Sequence, residues 1–256
     1  MHPRTPWCWC WPCRARRRRK LAIAFVILTV AAGLLVHGHV QLGHARPAPA
    51  PTAKAARPHA KRRPPGPALA TSLAAAGQGL TWADFYGMEL PASASAGPRD
   101  IRHGLASGFV DTPQGALLAA INIGVRTAAQ WGTAIFKPTI TRQVTGPDTT
   151  TLLQAEETAY AQLRAAARVR PGQPTGRGYA AETGYRFVAY TPAAATVDIV
   201  TAGPTANGTT VLASTRIQVL WLSGDWRVVA PPGGNWANAA LAISSVTGYT
   251  LFPGER

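Results

Sequence analysis

Residues 209–230 read TTVLASTRIQVLWLSGDWRVVA, and the spacing of their apolar side chains decides the fold. The alternation over 209–222 has a period of two, which predicts one long β-strand with a buried and an exposed face. Ser223-Gly224 then predicts a tight turn into a second strand over 225–230. The side chains predicted to share one face of the long strand are Val211, Ala213, Thr215, Ile217, Val219 and Trp221.

Two more strands are predicted before this hairpin, at 185–190 and 196–201. Thr191-Pro192 separates them, and Asn207-Gly208 separates the second from the long strand, because these residue pairs favour turns. Four consecutive strands joined by short turns predict an antiparallel sheet.

A helix is predicted to begin at the start of the run DTPQGALLAAINIGVR. Asp111 or Thr112 supplies the capping side chain, and Pro113 suits the first helical position because its missing N–H has no helical partner there. Apolar residues recur at steps of three and four as far as Trp131, which predicts one buried face. The following 132–147 is predicted to be a connection with at most a short helical turn.

A second helix is predicted over 150–168, with Asp148 and Thr149 as capping residues. Leu153, Tyr160 and Leu163 are placed on its inner face, and Glu156 with Glu157 on its solvated face. Helices followed by strands indicate an α+β domain in which two main helices pack on one face of a curved, four-stranded antiparallel sheet. Residues 80–111 show no clear period and are expected to be irregular, and the tail 235–256 is expected to form a helix that closes the open end.

The charge of the chain is concentrated at its beginning. Residues 1–67 contain 13 Lys and Arg and no acidic residue, whereas 68–256 contain 13 basic and 11 acidic residues. The globular part is therefore nearly neutral and lacks the excess of basic residues typical of nucleic-acid-binding domains. We expect no direct contact between this part and nucleic acid.

An uncharged apolar stretch begins at Leu21 and ends at Val36, directly after a block of arginines. At about 1.5 Å per residue it reaches roughly 24 Å, and its extension to 21–42 spans a bilayer core of about 30 Å. Basic residues stay on the cytoplasmic side, so the N-terminus is predicted inside and the C-terminus outside. Two alternatives remain open: a signal peptide cleaved near Gly43-His44-Ala45, and a buried soluble helix.

These features divide the chain into a basic cytoplasmic tail over 1–20, an anchor over 21–42, a disordered Pro- and Ala-rich linker over 43–79 and an extracytoplasmic domain over 80–256. All three cysteines, Cys8, Cys10 and Cys13, lie in the tail. They leave three interpretations open: a metal site, thioacylation, or an unstructured flank.

Three groups of residues carry a family resemblance: GFVDTPQGA at 108–116, VTGPD at 144–148, and Gly248-Tyr249. Together with the single predicted anchor, they resemble uncharacterised actinobacterial single-pass membrane proteins associated with integrative conjugative elements. The order of helices and strands and the WLSGDWRV hairpin resemble the nuclear-transport-factor-2-like domain, as in the bitopic scaffold subunits of type IV secretion and conjugation machines. The resemblance implies a structural role at the membrane and carries over no catalytic residue.

Candidate site residues are few. Asp198 and Tyr190 lie on adjacent predicted strands and are the candidates for a pocket within the sheet. His103 lies in the lead-in with no nucleophile elbow near Ser107. The sequence therefore gives no convincing catalytic set, and it assigns no metal or cofactor.

Two functions follow. The first is a membrane-anchored extracytoplasmic scaffold at the bacterial cell membrane, contacting the bilayer and secretion-complex proteins, with self-association left open. The second is a small-ligand-binding or catalytic domain. A scaffold is expected to fill its interior with Trp221, Trp226 and Phe187, whereas a binding domain is expected to keep a pocket with converging polar groups.

Overall fold

The computed structural model describes residues 66–205 and 207–253. The predicted tail, its cysteines and the predicted anchor with Leu21 and Val36 lie outside these residues. Within the described part, no helix has the length and apolar character needed to cross a membrane. The described structure begins with helix α1, Pro67–Ala75, inside the segment assigned to the linker.

Two β-hairpins occupy the segment that was expected to be irregular, so that prediction was wrong. Strand β1, Thr81–Phe85, pairs with β2, Met88–Ala92, and β3, Asp100–Arg102, pairs with β4, Leu105–Ser107. The turns are Tyr86-Gly87 and His103-Gly104, and all four residues have positive φ. Because a non-glycine residue rarely adopts positive φ, neither pair is a strong sequence signal for a hairpin.

The first predicted helix is confirmed as α2, Pro113–Arg126. Thr112 Oγ1 accepts a hydrogen bond of 3.1 Å from Gly115 N and so caps it. Helix α2 is buried on all sides from Gly115 to Ile123, which makes it the central element of the domain. It ends before Trp131, which lies instead in a 3-10 turn, Ala129–Trp131.

A further helix, α3, spans Thr133–Gln143 where only a connection was expected. The sequence does not indicate this helix, because Pro138 lies inside it and a proline ordinarily interrupts a helix. The second predicted helix is confirmed as α4, Thr149–Ala167. Asp148 makes no side-chain cap bond to it, whereas Thr149 Oγ1 donates to Gly146 O at 2.9 Å. As expected, Tyr160 is buried on its inner face, with Leu153 and Leu163 partly buried.

The four predicted strands are present and antiparallel in chain order, confirming the α+β class. The first two are longer than expected, β6 being Ala181–Thr191 and β7 Ala194–Pro204, whereas β8, Thr210–Leu222, and β9, Asp225–Val229, nearly match the predicted ranges. Three short strands extend the sheet to seven: β5, Val144–Thr145, parallel to β9; β10, Ala240–Ile243, on β8; and β11, Thr250–Leu251, on β6.

The sheet has two distinct faces because side chains alternate along each strand. One face packs on α2 through residues such as Val197, Ile217 and Val219, which are buried. The opposite face carries Asp198, whose register partners on the two neighbouring strands are Arg186 and Arg216. We call these the helix face and the outer face.

The tail does not form the predicted helix. Trp236–Ala239 is a 3-10 turn, followed by β10 on one side of the sheet and β11 on the other. The chain between them crosses the outer face, where Tyr249 packs against Arg186 and its hydroxyl donates to Ser214 Oγ at 2.9 Å. The apolar residues whose spacing suggested a helix therefore belong to a segment that crosses the outer face of the sheet.

Candidate functional site

A partly open cavity of about 180 Å³ lies between the C-terminal half of α2 and the helix face of the sheet. Its α2 wall contains Ile121, Gly124 and Val125, and its sheet wall is formed by Ala213 and its neighbours on β8. Small residues keep it open: a Cβ added at Gly124 would approach Ile217 Cδ1 to 3.2 Å. Cavities of this size in an otherwise close-packed interior are few per domain.

The other end of the helix face is filled by aromatic side chains. Trp226 is completely buried, contacts Trp221 at 5.4 Å between ring centroids, and donates from Nε1 to Val110 O at 2.9 Å. Asp225 accepts hydrogen bonds from the N–H groups of Gly108 and Phe109 and holds that loop in place. The interior is thus filled at this end, as expected of a scaffold, and open at the other, as expected of a binding domain.

Strand β9 ends at Val229, and past this point the wall of the cavity is completed by the tail. Trp236 lines the cavity there and donates from Nε1 to Thr127 Oγ1 at 2.9 Å. Thr127 in turn donates to Gly124 O at 2.7 Å. The expected closing helix does not form, and the tail instead contributes one side chain to the wall of the cavity.

A carboxyl group lies in the sheet wall of the cavity. Glu182 at the start of β6 is buried, and its Oε2 accepts a hydrogen bond of 2.9 Å from Thr201 Oγ1. The two residues are register partners on adjacent strands, so both side chains lie on the helix face. This pair is the most polar part of a lining that is otherwise mostly apolar.

Gln130, in the 3-10 turn Ala129–Trp131, is another polar residue that lines the cavity. Its Nε2 is buried and has no hydrogen-bond partner within the described part of the chain. A buried donor without a partner costs about 1–3 kcal/mol, and such groups are rare in folded proteins. Nε2 is closed off from the cavity as well as from solvent, so it does not contribute a donor to the site.

Three contacts fix the turn that carries Gln130. The backbone N–H of Ala129 donates to Glu156 Oε2 at 2.7 Å, and the Trp131 indole donates to Val125 O at 2.7 Å. The carbonyl of Gln130 accepts from Thr175 N at 2.9 Å. The turn is thereby held to α2, to α4 and to the chain that leads into β6.

Glu156 was expected on a solvated face, and this prediction was wrong. The side chain is half-buried beneath the turn, and burial raises its pKa to about 7, although the hydrogen bond from Ala129 N acts in the opposite direction. Its neighbour Glu157 does lie at the surface, where it pairs with Lys137 at 2.5 Å.

The structure does not bring the two candidate pocket residues together. Tyr190 lies on the helix face with Phe187, where burial raises the pKa of its hydroxyl. Asp198 lies on the outer face, 3 % exposed, and accepts hydrogen bonds from Arg186 and Arg216 at 2.7 Å each. Burial would raise the pKa of Asp198, but the two guanidinium groups outweigh it and hold the pKa below its usual value. Neither residue lines the cavity.

Two other polar features lie away from the cavity. His103 is exposed in the β3–β4 turn. Arg126 is buried with its guanidinium carbon 4.4 Å from the Phe85 ring centroid, donates to Asn122 Oδ1 at 2.8 Å, and has its pKa lowered to about 10 by burial. The described residues contain no cluster of three or more His, Cys, Asp or Glu suited to a metal ion.

The important cavity residues were not singled out from the sequence. Glu182 precedes the predicted start of its strand at residue 185, and Gln130 was placed at the end of a helix. The sequence contains one pattern that points to the cavity, the alternation along the long strand. The side chains from Val211 to Ile217 that it places on one face do line the cavity.

The family described as "Domain of unknown function (DUF8175)" matches residues 44–251. No curated protein and no solved structure matches the chain.

Proposed function

The chain belongs to the DUF8175 family, and from the geometry of its cavity we propose that it is a membrane-anchored binding module. In this proposal residues 21–42 hold the chain in the bacterial cell membrane with the N-terminus inside. The described domain lies outside and binds a small molecule between α2 and the sheet.

The cavity is the observation that carries this proposal. Its volume of about 180 Å³ is slightly larger than an engineered apolar cavity of about 150 Å³ that binds benzene. Its walls are mostly apolar with a few polar groups, including Glu182 and Gln130, which is the composition expected of a small-molecule site.

Binding is favoured over catalysis by the chemistry of the lining. The residues described as lining the cavity include no histidine, cysteine or lysine, and the Glu182 carboxyl is already engaged by Thr201. A general base or nucleophile needs a positioned partner such as a histidine beside it, and none is among the described lining residues.

The fold class is compatible with the nuclear-transport-factor-2-like architecture that we propose for the domain. Helix α2 packs along one face of a sheet of four long antiparallel strands, and bulges interrupt β6 at Glu182/Gly184 and Phe187/Ala189. Bulges bend a strand and so support the curvature that the architecture requires.

A filled-cavity variant tests the proposal. The full-length chain in lipid nanodiscs, labelled at the isoleucine δ1 methyl groups, is titrated with toluene while the methyl spectrum is recorded. We expect shifts at Ile121, Ile199 and Ile217, which line the cavity, and none at the exposed Ile101. Ala213→Phe, which fills the cavity, should abolish the shifts, whereas Ala161→Phe on the exposed face of α4 should keep them. Unchanged methyl signals in the parent chain would refute binding in this cavity.

A second candidate function, a scaffold within a conjugative or secretion complex, is favoured by the outer face of the sheet. Leu241 pairs with Ser214 and Leu251 with Gly184, so both lie on that face, and they are 72 % and 50 % exposed. Leu222, also exposed, lies on the same side of β8. Leu241 and Leu251 lie at opposite edges of the sheet, so a protein contact that covers both would extend across the whole outer face.

Crosslinking in intact membranes tests the scaffold function. A photoreactive residue placed at Leu241 should crosslink to another membrane protein, whereas one placed at Thr158 on exposed α4 should not. Equal yields from both positions would contradict a contact surface on the outer face.

A further inference from the structure

We infer, on the basis of the proposed binding function, that the ligand of the cavity is a compact, mostly apolar molecule that carries a hydroxyl group, and that this hydroxyl bonds to the side chain of Thr215. Small aromatic and alicyclic alcohols have this chemistry.

Thr215 lies in the sheet wall of the cavity, in the middle of β8. Its register partners are Ile199 of β7 on one side and Ala240 of β10 on the other. The side chain of Thr215 is half-buried, lies on the helix face and lines the cavity. Its hydroxyl is therefore placed in the same wall as the apolar side chains that would hold the body of a ligand.

Among the described residues, three threonines line the cavity, and the protein uses the hydroxyl groups of two of them. Thr127 donates to Gly124 O at 2.7 Å, and Thr201 donates to Glu182 Oε2 at 2.9 Å. The Thr215 hydroxyl makes no hydrogen bond to any residue of the described chain. It is the threonine hydroxyl of this lining that remains available to a ligand.

This hydroxyl is open to the cavity. The buried side-chain atoms that lack a partner in the described ranges are Arg126 Nε, Gln130 Nε2 and Gln143 Oε1. Thr215 Oγ1 also lacks a partner but is not one of these closed-off atoms, and the space in front of it on the helix face is the cavity. A ligand in the cavity can therefore reach this hydroxyl.

A second hydroxyl lies close enough to share the ligand group. Thr201 is the register partner of Ala213, two residues from Thr215, so the two threonines are diagonal neighbours on the helix face. Diagonal neighbours are about 7 Å apart, which one ligand oxygen bonded to both hydroxyl groups can bridge. Thr201 Oγ1 keeps a lone pair beside its bond to Glu182, so a ligand hydroxyl can accept from Thr215 and donate to Thr201.

The rest of the lining sets the other properties of the ligand. The apolar walls formed by Ile121, Ile199 and Ile217 favour a hydrocarbon body. The volume limits that body to about the size of one six-membered ring with a small substituent, by comparison with the benzene-binding cavity. An anionic group is disfavoured because the described lining contains no arginine, lysine or histidine to pair with it.

Toluene and phenol isolate the hydrogen bond, because phenol carries a hydroxyl group where toluene carries a methyl group of nearly the same size. Their dissociation constants are measured on the full-length chain in nanodiscs from the isoleucine δ1 methyl shifts, with empty nanodiscs used to correct for partition into lipid. The ratio of the two constants within one variant cancels effects common to both ligands.

Thr215→Val removes the hydroxyl and keeps the shape of the side chain. We expect it to weaken phenol relative to toluene about fivefold, the effect of losing one neutral hydrogen bond. Thr215→Ser keeps a hydroxyl at this position and should keep the ratio of the parent. Thr158→Val, on the exposed face of α4, should also leave the ratio unchanged.

The outcomes separate the inference from the proposed function. If neither ligand shifts the methyl groups of Ile121, Ile199 and Ile217, the binding function itself is wrong and the inference falls with it. If toluene shifts them and phenol does not, the cavity binds ligands but does not take a hydroxyl. If both bind and Thr215→Val keeps the ratio of the parent, the role of Thr215 is overturned.

A measurement on the parent chain covers the case in which Thr215→Val does not fold. The threonine γ2 methyl groups are labelled, and nuclear Overhauser effects from bound phenol are recorded. The effects to Thr215 should be strongest from the ring protons next to the hydroxyl. Effects that are strongest from the proton opposite the hydroxyl would place that group away from Thr215 and would overturn the inference without any variant.

Discussion

The backbone N–H of Ala129 donates a hydrogen bond of 2.7 Å to Glu156 Oε2, which joins helix α4 to the turn that lines the cavity. Glu156 is half-buried in this position, and burial raises its pKa from 4.5 to about 7. Ionisation of this carboxyl therefore links the stability of the domain to pH.

The sign of this effect follows from the direction of the shift. A raised pKa means that the folded state holds the Glu156 proton more tightly than the unfolded state does. The stabilisation is complete below pH 4.5 and is lost as the pH rises through 7, by at most about 3 kcal/mol.

Glu156→Gln should remove this pH dependence because the amide oxygen still accepts from Ala129 N and carries no charge. We expect its urea midpoint to fall less than that of the parent between pH 5 and pH 8, when the full chain is unfolded in nanodiscs. Glu157→Gln, which removes only a surface pair with Lys137, is the matched control and should follow the parent. Parallel curves for Glu156→Gln and the parent would contradict a buried carboxyl at this position.

Asp198 on the outer face should show the opposite behaviour. Burial acts to raise its pKa, but the hydrogen bonds from Arg216 and Arg186 lower it further, so its contribution to stability is present at neutral pH and is lost in acid. We expect Asp198→Asn to reduce the free energy of unfolding by about 1–3 kcal/mol at pH 7, since charge-assisted bonds are lost.

Asp100 provides the comparison, because it also pairs with an arginine, at 2.6 Å, but at the surface. Asp100→Asn should reduce the free energy of unfolding far less than Asp198→Asn does, because solvent screens an exposed ion pair. Chemical unfolding of both variants at pH 7 and pH 3 checks the prediction, and equal losses at pH 7 would show that burial of Asp198 has no energetic consequence.

The two tryptophans at opposite ends of the helix face should respond differently to truncation. Trp226 is completely buried, so Trp226→Ala should cost about 3–5 kcal/mol. Trp236 is only partly buried beside the cavity, so Trp236→Ala should cost less and should widen the opening. Thermal unfolding gives the first comparison. The width of the opening is compared by titration with naphthalene, which is larger than toluene. We expect naphthalene to shift the cavity methyl signals of Trp236→Ala but not those of the parent.

The predicted membrane topology is tested by fusing reporters after Arg256. An alkaline phosphatase, which is active only outside the cytoplasm, should be active in this fusion, and a β-galactosidase should be inactive. Removal of residues 21–42 should reverse both results. A β-galactosidase active behind the intact chain would contradict the extracytoplasmic placement of the domain.

Local signals predicted the elements whose ends are fixed by nearby residues. Helix α2 was found because Thr112 and Pro113 mark its start within one turn, and the β8–β9 hairpin because alternation and Ser223-Gly224 are both local. Helix α3 was missed because Pro138 within it gives the opposite signal. The tail was misassigned because the spacing of Trp236, Leu241 and Tyr249 does not reveal that two sheet edges are available to pair with it.

The candidate site was harder to predict than the fold because its properties arise from contacts distant in sequence. The orphan state of Gln130 and the burial of Glu156 depend on α2, α4 and β6 coming together. Asp198 is a candidate pocket residue from the sequence, but the strand period alone does not place it on the outer face with two arginines.

The most direct test of a binding cavity is a measurement of proximity rather than of affinity. Nuclear Overhauser effects between protons of bound toluene and isoleucine δ1 methyl groups are recorded on the full-length chain in nanodiscs. We expect effects to Ile121, Ile199 and Ile217, and none to Ile101. Effects only to lipid or to Ile101, with silence at the three cavity methyl groups, would contradict binding in this cavity.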